Sequence, residues 1–269
     1  MTQAAASPPR AARRAGGPRR HLDLLIALAR ADLRVRYGRG NFQFVKWLLD
    51  PFAVLGVYLV LVTFVIDRPV KDAGLSLACS IVPFQLIMAS VISGLGAIDS
   101  RRSVITNMNF DRRLIPPSVT LTESVAFLAS LVLLGLMMAV YEVSPTWAIL
   151  WMPVVLVANV ALALALAFPA TLFGVWFPDL RFFAISVVRT MYFLAPGLVP
   201  LASASHRAQN LLRINPFTGL FEAYRAVLVG GVSPPAWTIV IPLAWAVALF
   251  AIFVPVYSRE QRYLAKVLG

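Results

Sequence analysis

The sequence predicts an all-α integral membrane protein: six transmembrane helices, an N-terminal amphipathic interface helix, and short external re-entrant helices between spans five and six. Three observations carry that expectation. Hydrophobic residues make up 59% of the 269 and charged residues only 13%, against about half and a quarter in soluble domains. Six apolar stretches each meet the roughly 20 residues needed to cross the hydrocarbon core. The loops between them differ sharply in basic content, as the positive-inside rule requires.

Residues 1–20 carry Arg10, Arg13, Arg14, Arg19 and Arg20 among Ala, Gly and Pro. That composition predicts a disordered basic tail, with no apolar run of the kind a cleavable signal needs. Residues 21–40 read as an interface helix and elbow. Leu22, Leu25, Ile26, Ala29 and Leu33 recur at helical spacing, while Asp23, Arg30, Asp32 and Arg34 fall largely off that stripe. Such a helix lies in the membrane plane, arginines toward phosphates and leucines toward acyl chains. Tyr37-Gly38-Arg39-Gly40-Asn41 then forms an elbow into a transmembrane domain at 41–269.

The six spans are expected at 47–66, 77–98, 118–140, 147–176, 182–201 and 236–257. Pro153 and Pro169 interrupt the fourth, which predicts tilt, a kink or a break. Between spans five and six, Phe217, Leu220, Phe221, Tyr224 and Leu228 recur at helical spacing within 202–235. That piece is either a re-entrant or interfacial helix or a surface helix packed on the span tops. An even number of spans puts both termini on one side. Of the 24 basic residues, 18 fall on that side, five on the other, and Arg189 within a span. Both termini are therefore expected in the cytoplasm of a multi-pass plasma-membrane protein.

The net charge of +12 sits at the inner face, where anionic lipid accounts for it. No aromatic-interleaved basic groove points to nucleic acid. Cys79 is the single cysteine, and His21 and His206 lie far apart, so neither a disulfide framework nor a histidine metal site is expected. The 12 acidic residues are scattered and suggest no catalytic cluster. Asp67 and Asp72 share the first external loop, the one place where a polyprenyl-dependent glycosyltransferase reading finds acids. No G-x-x-x-x-G-K-S/T loop occurs, so nucleotide hydrolysis, if any, belongs to another chain. Spans nearly free of carboxylates argue against ion coupling. Glu123 and Arg189 each lie about two turns into a span; snorkelling, a mutual ion pair, or for Arg189 a phosphate-bearing substrate in a central cavity are the alternatives.

Three stretches carry a resemblance. The first is LARADLRVRYGRGNFQFVKWLLDPF, where Asp32, Leu33, Arg36, Tyr37, Gly38, Trp47, Leu48 and Pro51 match a basic elbow and the entry to span one. The second is RRSVITNMNFDRRLIPP, with Asn107, Arg112 and Pro116. The third runs from FPDLRFF through YFLAPGLVP to INPFTGLFEAYR, with Asp179, Leu180, Pro196, Asn215, Pro216, Tyr224 and Arg225. In their order and spacing these resemble the membrane permease subunits (Wzm/TagG type) of polysaccharide-exporting ABC transporters, which export O-antigen, teichoic acid or other cell-wall glycans. Phe84, Pro178 and Arg189 depart from that pattern, where Trp, Arg and Gln are common.

The resemblance implies a homodimer in the bacterial plasma membrane with two copies of a separate cytoplasmic ABC ATPase, which binds the ATP and Mg; this chain itself holds no cofactor. It implies a polyprenyl-pyrophosphate-linked polysaccharide as substrate. A related permease for drug or lipid efflux is the alternative within the class. On this reading the ATPase-coupling residues are Arg30, Arg34, Arg36, Tyr37, Arg101, Arg102, Asn107, Phe110, Arg112, Pro178, Asp179 and Arg181. A substrate path would use Tyr58, Ser80, Phe84, Gln85, Ser90, Ser93, Arg189 and Tyr192, although packing between helices explains the small and hydroxyl residues equally well. An external gate would use Asn215, Pro216, Phe217, Phe221, Tyr224 and Arg225.

Overall fold

The computed structural model describes residues 18–37, 73–102, 105, 111–197 and 200–267, together with Ala53 and Gly56. The described residues are helical, joined by turns and short 3₁₀ segments. We number the helices α1 (Pro18–Tyr37), α2 (Ala73–Leu95), α3 (Ala97–Ser100), α4 (Ile115–Val140), α5 (Met152–Trp176), α6 (Arg181–Leu194), α7 (His206–Leu212), α8 (Pro216–Leu228) and α9 (Trp237–Val267). The span expected at 47–66, the elbow at 38–41 and the acids Asp67 and Asp72 lie outside the described residues.

Among the described residues, four helical stretches are long and apolar enough to cross a membrane: Gly74–Leu95, Arg112–Val140, Trp147–Trp176 and Trp237–Glu260. They correspond to four of the six expected spans. The stretch expected at 182–201 differs. Its helix, α6, has 14 residues and stops at Leu194, about 21 Å at 1.5 Å per residue and short of the roughly 30 Å core. Ala195 leaves the helix in an extended conformation (ψ 153°), with Pro196 and Gly197 following.

Local sequence explains the helix ends. Pro116 and Pro117 occupy the first turn of α4, where a missing N–H costs nothing, and Asp111 caps the 3₁₀ turn before it through the Arg113 amide at 3.0 Å. Thr146 caps the 3₁₀ turn Trp147–Trp151 that leads into α5. Pro153 then falls in the first turn of α5, and Pro169 is carried inside it; the helix runs unbroken from Met152 to Trp176.

The core is assembled around α2 and α5. Lipid tails are as apolar as leucine, so helices in a membrane associate through close packing more than through expulsion of water. Small residues supply that closeness here. A Cβ on Gly174 would lie 2.0 Å from Leu95 O, and one on Gly94 would lie 3.2 Å from Ala170 Cβ. The main core joins α2, α4, α5 and α8 through residues such as Leu77, Leu133, Leu162 and Phe221. A second cluster, with Ile98, Ile115, Phe168, Leu172 and Tyr257, closes the end nearer α1. Outside these cores the surface is apolar: Leu128, Val132 and Leu136 form one exposed stripe on α4.

α8 is packed into the bundle. Phe217 to Phe221 and Ala223 to Arg225 are all buried, and a Cβ on Gly219 would meet Thr238 O and Pro242 Cδ of α9 at 2.9 Å.

Candidate functional site

Two polar constellations stand out, one at each end of the bundle. The first joins the expected coupling elements. Asp32 on α1 pairs with Arg101, which is 5% exposed and follows α3 directly. Asp99, within α3, pairs with Arg181 at 2.5 Å. Arg181 also donates to Gly174 O from Nε (3.1 Å) and Nη2 (2.7 Å), which satisfies a carbonyl in the last turn of α5. The interface helix, the 97–102 segment and the 178–181 turn are thus tied into one polar chain. Pro178, Asp179 and Leu180 project from it, exposed, as do Phe177 and Phe182.

Arg30 and Arg34 are exposed on α1, whose Leu28 and Ala29 are buried, so α1 keeps the two-faced character its spacing predicts. It packs on α4. Arg102 is exposed and Arg112 half-buried. Tyr58, Asn107 and Phe110, and the side chains of Arg36 and Tyr37, lie outside the described residues.

The second constellation is built on Arg225, which is 6% exposed. Its Nε donates to Ser76 O at 3.2 Å and to Ser76 Oγ at 3.1 Å. Nη1 donates to Pro196 O at 2.7 Å and Glu222 Oε1 at 2.9 Å, and Nη2 to Gly197 O at 2.8 Å. Ser80 Oγ adds a donor 2.5 Å from Gly197 O, and Glu222 Oε1 also accepts the Leu201 amide at 2.9 Å. A buried backbone that has left its helix must have its carbonyls met by other groups. The rigid guanidinium fork meets two of them at once.

The neighbouring motif residues build the frame for that fork. Asn215 Oδ1 accepts the Phe217 amide at 3.0 Å and caps α8, while Pro216 takes the first helical position. Asn215 Nδ2 donates to Met191 O at 3.0 Å, fastening α8 to the end of α6. Tyr224 is fully buried and its hydroxyl accepts from Asn159 Nδ2 at 3.2 Å. Burial pushes the Tyr224 phenol above its ordinary pKa, opposed by the Asn159 hydrogen bond.

The expected substrate-path residues separate. Phe84 and Tyr192 meet at 4.6 Å between ring centroids and extend into Phe217 and Phe221, joining path and gate candidates in one aromatic cluster beside Arg225. Ser80 belongs to the Arg225 constellation, Ser90 is fully buried, and Gln85 is half-buried. Ser93 lies toward the α1 end, where it donates to Glu123 Oε1 at 2.6 Å. Glu123 is buried there, whereas Arg189 is exposed on α6, so the mutual pairing offered as one alternative is not formed.

Sequence reasoning missed Ser76, Asn159 and Glu222. Glu222 had a signal: it stands three residues before Arg225, one helical turn away on the same face. Among the described residues no group of three His, Cys, Asp or Glu side chains is placed to hold a metal ion.

No family model matches the chain. Among curated proteins it is similar to the O-antigen export system permease protein RfbA of Myxococcus xanthus, 29% identical over 246 residues, 90% of this chain and 94% of that protein. The RfbA permease of Klebsiella pneumoniae is 22% identical over 211 residues, 78% of this chain and 82% of its own length. The polysialic acid transport protein KpsM of Escherichia coli is 23% identical over 256 residues, 88% of this chain and 94% of its own.

Proposed function

We propose that this chain, a homologue of polysaccharide-export ABC permeases, is the membrane subunit of an ATP-driven exporter of polyprenyl-pyrophosphate-linked polysaccharide. Two copies would form the pathway and two copies of a separate cytoplasmic ATPase would drive it. The observation that carries the reading is a match to export permeases along 90% of the chain.

The polar chain at the α1 end supports it. A force applied to the exposed 178–180 turn reaches α3 through Arg181 and Asp99, and reaches α1 through Arg101 and Asp32. Closure of an ATPase dimer against this end would move the three elements together and rock the helices behind them. At the other end, Arg225 holds the 195–197 segment and α8 in one arrangement, a natural hinge for an outer gate. The aromatic rings beside it offer faces of the kind that sugars stack on. Arg189, exposed on α6, is the candidate contact for a substrate phosphate.

The test is co-expression with a candidate ABC ATPase subunit from a neighbouring gene. A stable complex whose ATP hydrolysis requires this chain is expected, and depletion should leave lipid-linked glycan on the cytoplasmic side. Absence of a complex, or depletion without accumulation, would sink the reading.

A further inference from the structure

An apolar groove of about 470 Å³ lies between α5, α6 and α9 at the Arg225 end, and the transport reading makes no use of it. Its wall is apolar apart from Asn215 and Trp245, and both of those are engaged. Asn215 holds the Phe217 amide and Met191 O, and Trp245 Nε1 donates to Ile214 O at 3.0 Å. The groove therefore calls for hydrocarbon.

Leu166, Val187 and Val188 also line a second space of about 370 Å³, which runs on to Phe173 and Trp176. Along α6 the two spaces cover Phe183 to Leu194, about 16 Å at 1.5 Å per residue. One leaflet contributes roughly 15 Å to the hydrocarbon core. The groove thus has the reach of one leaflet's acyl chain. One turn of a helix, about 10 Å across, already takes roughly 400 Å³, so a lipid chain enters where a partner's helix would not.

The mouth indicates the headgroup. Leu212 and Ile214 line the groove, and Arg213 stands between them, exposed. Its guanidinium carbon lies 5.2 Å from the centre of the Trp237 ring, a contact that takes the flat face and leaves the N–H edge for an acceptor. Among the described residues Arg213 makes no ion pair. Arg207, exposed on α7, adds a second positive charge. From 202 to 259 the chain carries one acid, Glu222, and Arg225 and the Leu201 amide hold it. An anion at the mouth meets positive charge that this stretch does not cancel, whereas a choline or ethanolamine group finds no free carboxylate in it. Tryptophan favours the headgroup level, the depth that an arginine–phosphate contact needs.

We propose that this groove binds an anionic glycerophospholipid from the leaflet at the Arg225 end, one acyl chain lying along α6 and a phosphate oxygen accepting from Arg213. The chain fills the seam between α5, α6 and α9, and the headgroup ties the turn between α7 and α8 to the membrane surface. The inference is independent of what the protein transports.

The experiment places the purified full-length chain in phosphatidylcholine vesicles. These hold a trace of photoactivatable phosphatidylglycerol, phosphatidylethanolamine or phosphatidylcholine, each with the same diazirine-bearing acyl chain. Cross-linked peptides are mapped by mass spectrometry, and the exposed α4 stripe of Leu128, Val132 and Leu136 reports bulk lipid. Relative to that stripe, phosphatidylglycerol should label Met191, Leu211 and Trp245 about fivefold more than either zwitterionic lipid, the value of one basic side chain near anionic lipid. Arg213→Gln should bring the three lipids level there and leave α4 labelling unchanged, with thermal unfolding reporting whether the variant is folded. If it fails to fold, the unaltered chain decides, because its preference should fall toward parity in about 1 M salt. Val187→Trp, which puts an indole where the two spaces meet, should lower groove labelling by all three lipids. Equal labelling by the three lipids, a preference that survives in folded Arg213→Gln, or one that salt does not reduce would overturn the proposal. So would a groove that no lipid labels while the α4 stripe is labelled, the result that a second copy seated on this face would give.

Discussion

Asp32 and Arg101, 69 residues apart, form an ion pair that joins the interface helix to the segment after α3. Two residues before Arg101, Asp99 makes a second pair of opposite polarity with Arg181. The 97–102 segment is therefore held from two sides, giving an acid to one neighbour and a base to the other. Neither bond can be exchanged for the other without placing like charges together.

That polarity gives the first prediction. Arg101→Asp leaves Asp32 facing a second carboxylate and should destabilise the purified protein. Asp32→Arg combined with Arg101→Asp should recover part of the loss. A double-mutant cycle on thermal unfolding should return a coupling of about 1–2 kcal/mol, the modest value expected when Asp32 is one-third exposed. Strict additivity would show that the pair transmits nothing.

Arg225 should be the least replaceable charge in the described residues. Arg225→Lys keeps the charge but not the fork, and cannot reach Ser76, Pro196 and Gly197 together. Arg225→Ala should cost about 3 kcal/mol or more, because Glu222 and two carbonyls lose their donor. Limited proteolysis should then cut between 195 and 205 well before the rest of the chain. A cleavage pattern identical to the unaltered protein would count against the clamp.

The contact between Gly174 and Leu95 predicts a graded series. Gly174→Ala places a methyl 2.0 Å from a backbone oxygen and must push α5 from α2, at about 1–3 kcal/mol. Gly94→Ala meets its nearest atom at 3.2 Å and should cost less. Thermal midpoints in one detergent decide the order; equal midpoints would contradict the close crossing.

Asn215→Ala removes the cap of α8 and the bond to Met191 O, and should cost about 1–2 kcal/mol. Asn215→Asp keeps the cap and loses only the Met191 bond. Comparing their unfolding midpoints separates the two contributions.

Arg189 makes the opposite prediction. It is exposed on α6, so Arg189→Gln should shift stability by no more than about 0.5 kcal/mol. Export of glycan in cells should nevertheless fall if it meets a substrate phosphate. Undiminished export would remove Arg189 from the pathway.

Apolar length alone made four spans legible, because a run such as 147–176 has few other ways to exist. The same rule overreached at 182–201, since hydropathy counts Ala195, Pro196 and Leu198 as span without knowing that the helix ends at Leu194. Proline inside 147–176 suggested tilt, a kink or a break; the helix is continuous, and Pro153 is tolerated because it lands in the first turn, where its lost donor was never needed. The coupling elements were legible as basic loops, but their pairing was not: Asp32 and Arg101 are brought together by folding, and no local spacing announces it. Arg225 shows the limit most clearly. Counted as an external loop charge, it is buried, and its five acceptor atoms explain how a guanidinium can be.

The Arg225 clamp also has a bearing on biogenesis. The Pro196 and Gly197 carbonyls are synthesised 29 and 28 residues ahead of the guanidinium that receives them. During translation there is an interval in which α6 has emerged with its extended end unsatisfied, too short to rest across a bilayer alone. Ribosomes stalled before residue 225 should therefore hold a chain whose α6 is still accessible to water-soluble reagents. Those stalled after α8 has cleared the exit should not. The end of α6 is tied off backwards, by a residue the ribosome has yet to make when the helix itself is complete.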